Sequence, residues 1–393
     1  MATVKNKGIA RAAEIYEDRE KIGREFKAQG KTVMGYLCIY PVTEMMTAFD
    51  MVPYRTFGDI REPITAADGY MGSAICAFLR STLDVALKGR VDFINGMVFA
   101  RTCDMGTMSC GIWRSSTIDL PYSHLIPTPS TVVEDSVQQM KALLKDYQIS
   151  LEEYTGKKLD PEKLKEAIRL HNEQRALVRE LYDLKKPDPP LVSQTEVVQV
   201  IKALVTLPIA EGNEMLREVI DEVKTRKSGP AKKSARLLFW GPCVDDTALI
   251  EMIESLDANI VMDDTCVGTR AYMDDVKPTD DPLDGLAHHY LVDLKCSRTI
   301  RESQPGQAKK DYMKDIRHRY SYLGDFVRDW KVNGVILQSL RYCDAHGYDV
   351  PGIEDYFRDI GLPTIYLEHD YSEAALAPLK TRVQAFIELI ANQ

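Results

Sequence analysis

The chain has 393 residues, more than one ordinary compact domain of about 100–200 residues holds, so it reads as two domains or one large one. Hydrophobic residues at 45% and charged residues at 28% are globular values that exclude wholesale disorder and fibrous classes. With 59 acidic against 50 basic residues the net charge is -9, which offers no footprint for a phosphate backbone, and no nucleic acid partner is expected.

Residues 1–30 lack the apolar core of a secretion signal and read as a charged N-terminal helix. Nowhere do roughly 20 uninterrupted apolar residues occur, so no membrane span is expected and the expected location is the cytoplasm. Residues 31–130 form a first expected α/β lobe. Its strands are the apolar runs Val33–Ile39, Met51–Phe57, Val91–Ala100 and Tyr122–Ile126, and its clearest helix is Ser73–Leu87. Residues 131–233 are rich in Glu, Lys, Leu and Gln and read as a helical connecting layer, with helices over Asp160–Leu184 and Thr195–Leu204. Asp160 is placed to cap the first of these, with Pro161 at its first position.

Residues 234–393 form a second α/β lobe. Its expected strands are Ala235–Trp240, Asn259–Asp263, Gly334–Leu340 and Pro363–Glu368, and its helices Thr247–Leu256, Pro282–Val292, Met313–Lys331 and Ile353–Ile360. Strands alternating with helices imply parallel sheets with right-handed crossovers, hence an α/β fold of two flavodoxin- or Rossmann-like lobes. The lobes also look alike. Gly96–Gly106 and Ile336–Gly347 are each an apolar strand ending in Arg-x-Cys-Asp, and Tyr36-Leu37-Cys38 parallels Gly241-Pro242-Cys243.

The eight cysteines are Cys38, Cys76, Cys103, Cys110, Cys243, Cys266, Cys296 and Cys343, with no C-x-x-C pair among them. That spacing excludes a zinc ribbon, a thioredoxin motif and a compact ferredoxin run, so any metal site must be assembled from distant segments. Cys110 and Cys243 read as inert buried thiols. Cys38, Cys103, Cys266 and Cys343 each lie at a strand-to-loop junction, where open α/β sheets place their ligands. On spacing alone an iron–sulfur cluster, another metal site and redox thiols all remain open.

The phrases Gly35–Glu44, Ile75–Ser81, Thr102–Asp104, Asp264–Arg270 and Tyr342–Asp344, with the closing Tyr366–Ser372 and Leu379–Phe386, resemble the 2-hydroxyacyl-CoA dehydratase / benzoyl-CoA reductase family. The resemblance implies a subunit holding a [4Fe-4S] cluster through Cys76, Cys103 and Cys343. It also implies a separate activator ATPase, carrying its own iron–sulfur cluster, that donates a low-potential electron. Acyl-CoA substrates are implied, either reduced at an aromatic ring or dehydrated, as is a companion that is a homologous subunit or a second copy. The sequence is also similar to the double-cubane branch of the family, which implies Cys38, Cys266 and Cys296 as additional ligands of an [8Fe-9S] cluster and a reductase of small molecules. The match is weakest at Leu294–Arg298 around Cys296, and the loop Arg101–Gly106 departs from the Lys-rich loop common in the family. A non-catalytic subunit packed on a cluster-bearing homologue is a third reading.

Glu368 and Asp370, which flank His369 at the end of the last strand, are the candidate catalytic acids for proton delivery, although carboxylates at strand ends are often structural. Asp104 and Asp344 follow two of the cysteines and read chiefly as helix caps, and Glu44 as a cap or dipole partner. His288 and His289 read as surface or packing residues, and His124 and His171 have no partner motif. Arg80, Arg114 and Arg270 are available for CoA phosphates without any spacing that singles them out. No Walker loop and no G-x-G-x-x-G occurs, so neither ATP hydrolysis nor a nicotinamide cofactor is expected here.

Overall fold

The computed structural model describes residues 7–303, 305–307 and 311–392. The first six residues of the expected N-terminal helix, and five positions of the second lobe, lie outside these.

The first parallel sheet consists of β1 (Val33–Tyr36), β2 (Val52–Arg55), β3 (Gly96–Ala100) and β4 (Ser123–Ile126), in the order β2-β1-β3-β4. The second consists of β5 (Ala235–Trp240), β6 (Ala258–Asp264), β7 (Gly334–Leu340) and β8 (Thr364–His369), in the order β6-β5-β7-β8. The two lobes therefore share one topology, as their sequence likeness suggests. Every residue of β1, β2, β3, β5, β6 and β7 is buried, which is why these strands read as mostly apolar runs instead of alternating ones. Each sheet changes direction between its first and third strands, β1 and β3 or β5 and β7. Such switch points open a crevice at the carboxyl ends of the strands.

The charged N-terminal segment is two helices, α1 (Gly8–Glu17) and α2 (Arg19–Ala28). Asp18 divides them because its carboxylate accepts from the Lys21 N–H at 3.1 Å and caps the second. The remaining helices of the first lobe are α3 (Thr43–Ala48), α4 (Ala77–Leu87) and α5 (Asp104–Ser115). Between the lobes lie α6 (Glu134–Thr155), α7 (Pro161–Asp183), α8 (Gln194–Leu204) and α9 (Ile209–Thr225). Asp160 caps α7 ahead of Pro161 as its sequence suggests, and α8 opens with a Ser193–Glu196 capping box. Helix α1 rests on α8 and α9, so the chain start covers the connecting layer.

The second lobe adds α10 (Ala248–Glu254), α11 (Pro282–His288), α12 (Tyr312–Asp329), α13 (Asp344–Asp359) and α14 (Leu376–Ala391). Several boundaries differ from the pattern-based ones: β3 begins at Gly96 and not Val91, β1 ends at Tyr36 and not Ile39, and α11 ends at His288 and not Val292. Helix α13 starts nine residues before Ile353 and runs through Pro351, because losing one N–H does not outweigh the bonds of the flanking turns. Helix α4 starts at Ala77 and not Ser73, which moves Cys76 from inside a helix to its cap. No helix among the described residues is long and apolar enough to cross a membrane.

Candidate functional site

Cys76, Cys103 and Cys343 are the N-cap residues of α4, α5 and α13. The first turn of a helix carries unpaired N–H groups and the positive end of the macrodipole, and both favour an anionic sulfur. The Gly106 N–H donates to Cys103 Sγ at 3.2 Å. Backbone N–H groups of Phe78 and Leu79 act on Cys76 in the same way, and that of His346 on Cys343. A Cβ at Gly106 would stand 2.3 Å from Thr102 Oγ1, so any other residue here has to displace that hydroxyl from beside the sulfur.

The tertiary structure brings these three caps together. Cys76 and Cys343 lie close enough for each to govern the ionisation of the other, and the charge of Cys103 reaches Cys343 as that of Cys76 reaches Cys103. Cys343 first, and then the N–H donors, draw the Cys76 thiol below its ordinary value against burial, while Cys76 and burial push Cys343 well up. The pair thus releases its first proton readily and holds the second. Burial raises Cys103, opposed by the Gly106 N–H. Cys103 and Cys343 are partly exposed, which leaves the group open to the outside.

Cys38, Cys266 and Cys296 form a second group. Burial pushes the Cys38 thiol up to about 12, reinforced by Cys266 and Cys296 and opposed by Arg55. Cys266 is raised by burial against Arg270, with Cys296 again adding to the rise. Cys38 has φ 76°, a left-handed backbone unusual for a side chain with a Cβ and costing on the order of 1 kcal/mol, and Tyr342 beside Cys343 has φ 64°. Cys110 is buried, as expected of an inert thiol. Cys243 is not isolated: Asp245, Arg55, Cys266 and Cys38 all act on it, because the order β6-β5-β7 sets the end of β5 beside the end of β6.

Soft thiolates at rigid loops, with backbone N–H groups directed at sulfur, are the donor set an iron–sulfur cluster takes, and the residues fit such a group. Among the described residues no three His, Cys, Asp or Glu side chains are close enough to share a single ion. A cluster needs no such arrangement, since each thiolate binds a different iron.

The other candidates separate. Glu368, one residue before the end of β8, forms an exposed pair with Arg341 at 3.3 Å, and Asp370 accepts from the Ser372 hydroxyl at 2.7 Å. The carboxylate whose charge reaches Cys76 and Cys103 is instead Asp344. Asp104 and Asp344 are the first helical residues and not the caps, a position taken by the cysteines themselves. Glu44 lies in the first turn of α3, where a dipole partner is expected, and does not cap it; its main partner lies elsewhere. It is fully buried in α3, paired with Arg175 of α7, and accepts from the Tyr290 hydroxyl at 2.7 Å. Burial alone would raise its carboxyl, but Arg175 and His171 outweigh it and hold it at about 2.

The arginines considered for CoA are engaged: Arg80 pairs with Asp68, Arg114 donates to the Ser123 hydroxyl at 2.6 Å, and Arg270 is buried against Asp264. His288 is half-exposed beside Asp293, whereas His289 is buried. A cavity of about 80 Å³ lies between Tyr36, Arg55, His171, Arg175, Tyr272 and His289. It has room for a few waters and not for an acyl thioester. Neither Arg55 nor His346 had a sequence signal as a site residue; His346 lies two residues past the repeated Arg-x-Cys-Asp, where the first lobe has Gly106.

Residues 38–390 match the family described as 2-hydroxyglutaryl-CoA dehydratase, D-component. The chain is 25% identical over 383 residues to the (R)-phenyllactyl-CoA dehydratase beta subunit of Clostridium sporogenes, covering 96% of this chain and 97% of that one. It is 26% identical over 392 residues to a subunit of benzoyl-CoA reductase from Thauera aromatica, covering 97% of each. With the (R)-2-hydroxyglutaryl-CoA dehydratase beta subunit of Acidaminococcus fermentans the identity is 21% over 366 residues, 93% of this chain and 94% of the other.

Proposed function

The chain belongs to the 2-hydroxyglutaryl-CoA dehydratase D-component family and is an enzyme of that family, and within it we propose that it is the iron–sulfur subunit of an ATP-dependent, low-potential reductase of an acyl-CoA thioester. The observation that supports this is the convergence of Cys76, Cys103 and Cys343 as caps of three helices at one partly exposed place. A [4Fe-4S] cluster bound by three thiolates supplies one-electron chemistry and leaves one iron without a protein ligand.

The work of the chain itself is to hold those thiolates. The N–H groups of Gly106, Phe78 and Leu79 stabilise negative sulfur, which raises the potential, and the charge of Asp344 acts in the opposite sense. The family resemblance implies that the electron comes from a separate activator ATPase with its own cluster, and this chain itself carries no phosphate-binding glycine loop. The companion is a homologous subunit or a second copy; the relatives compared are themselves named as subunits.

The second group, Cys38, Cys266 and Cys296, favours one other reading: an [8Fe-9S] double-cubane reductase of small molecules, with all six thiolates engaged. Iron and sulfide analysis of protein purified without oxygen separates these. About four irons per chain support a single cubane, about eight the double one, and none overturns both. Turnover of benzoyl-CoA or of a 2-hydroxyacyl-CoA, with activator and ATP, then decides between ring reduction and the dehydration for which two of the compared relatives are named.

A further inference from the structure

Arg270 and His346 stand between the two groups of cysteines, and the function proposed above uses neither. Each is only 5% exposed. Asp264 fixes the guanidinium, with Nε donating to Oδ1 at 2.9 Å and Nη2 to the carbonyl oxygen at 2.7 Å. The Tyr322 hydroxyl holds the other Asp264 oxygen at 2.8 Å. Nη1 remains, and it lies 3.3 Å from Cys266 Sγ and 3.0 Å from His346 Nε2. On the far side of the imidazole, Nδ1 lies 3.4 Å from Cys343 Sγ. Trp240 flanks both, its ring centroid 5.8 Å from the guanidinium carbon and 5.3 Å from the centroid of the imidazole.

Donor and acceptor counting sets the direction of every bond. An arginine nitrogen only donates, so His346 Nε2 must accept. A neutral imidazole has a single N–H, which therefore sits on Nδ1 and donates to Cys343 Sγ. An imidazolium would set N–H against N–H beside a second cation. The two hydrogens of Nη1 are thus divided, one going directly to the sulfur of the second cysteine group and the other to the imidazole that serves the first.

We propose that Arg270 and His346 are a positioning couple that hydrogen-bonds one cysteine from each group at once, so that the reduction potential of a cluster held by Cys76, Cys103 and Cys343 depends on Arg270 as well as on its own ligands. The inference rests on the iron–sulfur reading above. An N–H donated to sulfur stabilises the more negative, reduced state, and a guanidinium that donates to the far ring nitrogen makes the imidazole N–H a stronger donor.

The test uses the full chain purified without oxygen as wild type, His346→Phe, His346→Gln and Arg270→Lys. Phenylalanine keeps a ring against Trp240 and removes both nitrogens, whereas glutamine keeps one acceptor and one donor. Iron content is measured first, then the oxidised-to-reduced ratio at one fixed potential. His346→Phe is expected to keep its iron and shift that ratio about tenfold toward oxidised, equivalent to about 59 mV for a one-electron couple. Arg270→Lys shifts it in the same direction, and His346→Gln stays within about twofold of wild type. A Phe variant with full iron and an unchanged ratio overturns the proposal, as does a Gln variant displaced as far as the Phe variant. If the Phe variant holds no iron, the Gln variant decides alone: wild-type iron and ratio support the couple, and loss of either overturns it. Wild-type protein without iron overturns the cluster reading instead. In that case ¹⁵N NMR of the metal-free protein still tests the couple, since a His346 without its hydrogen on Nδ1 removes its basis.

Discussion

Arg55 Nη1 donates to the carbonyl oxygen of Cys266 at 2.6 Å, joining the end of β2 in the first lobe to the loop after β6 in the second. The guanidinium is 4% exposed, so this is a charged bond made away from water. Arg55→Met is expected to cost about 2–3 kcal/mol, because it removes a charge-assisted bond and leaves a buried carbonyl without it. Denaturant unfolding measures this, and a loss below about 0.5 kcal/mol contradicts the account.

The two cysteine groups are separable by iron count. Serine at Cys76, Cys103 or Cys343 is expected to abolish cluster binding at the partly exposed group. Serine at Cys38, Cys266 or Cys296 leaves about four irons if the single cubane is right and lowers the count if the double cubane is right. An unchanged iron count with all of Cys76, Cys103 and Cys343 replaced shows that the ligands lie elsewhere.

Gly106→Ala sets a Cβ 2.3 Å from Thr102 Oγ1 and 3.5 Å from Cys103 Sγ. The Thr102 hydroxyl must swing away or the turn open, at about 1–3 kcal/mol, and the sulfur loses a hydrogen-bond donor either way. Lower thermal stability together with a more negative cluster potential is expected; Gly111→Ala in the same helix, where a Cβ meets open space, is the control, leaving the potential unchanged and raising stability by about 0.5–1 kcal/mol.

Glu44→Gln strands the buried Arg175 guanidinium without its counter-charge. Removing one partner of a buried pair costs about 3–5 kcal/mol, far more than an exposed pair such as Arg169–Glu166 contributes. Equilibrium unfolding of Glu44→Gln beside Glu166→Gln checks the contrast, and equal losses contradict it.

Acid should weaken the fold in two overlapping steps. Burial holds His171 at about 4 and His289 at about 3, both from 6.5, so the unfolded chain takes up these protons first and stability falls as the pH drops below 6.5. Glu44, held at about 2 from 4.5, adds a contribution that is complete above 4.5 and disappears as the pH falls through 2. Melting temperatures measured between pH 7 and pH 3 are expected to decline throughout, and Glu44→Gln to flatten the part below 4.5. A melting temperature that rises on acidification contradicts both assignments.

Much of the fold is legible locally. The runs Ala235–Trp240 and Gly334–Leu340 coincide with β5 and β7 because a strand buried on both faces is mostly apolar along its length, Arg236, Gln338 and Ser339 being the buried polar exceptions. The likeness of Gly96–Gly106 to Ile336–Gly347 reappears as two sheets of one strand order. Cys76 was less legible, since only the chain's path before α4 makes it a cap.

What the sequence by itself determined is therefore the α/β class, the duplication, and the cysteines just past strand ends, all carried by spacing within a few residues. Spacing left open which sulfurs meet and only the family resemblance implied it; tertiary structure sets Cys76 by Cys343 and Cys38 by Cys266, each pair more than two hundred residues apart. It also decided that Arg270 is an interior donor instead of a surface charge, and that Glu44 answers to Arg175. Those outcomes depend on strand order and on how the two lobes close over one another. A long-range contact is a property of that packing, and the water it excludes sets the strength of every charge inside it.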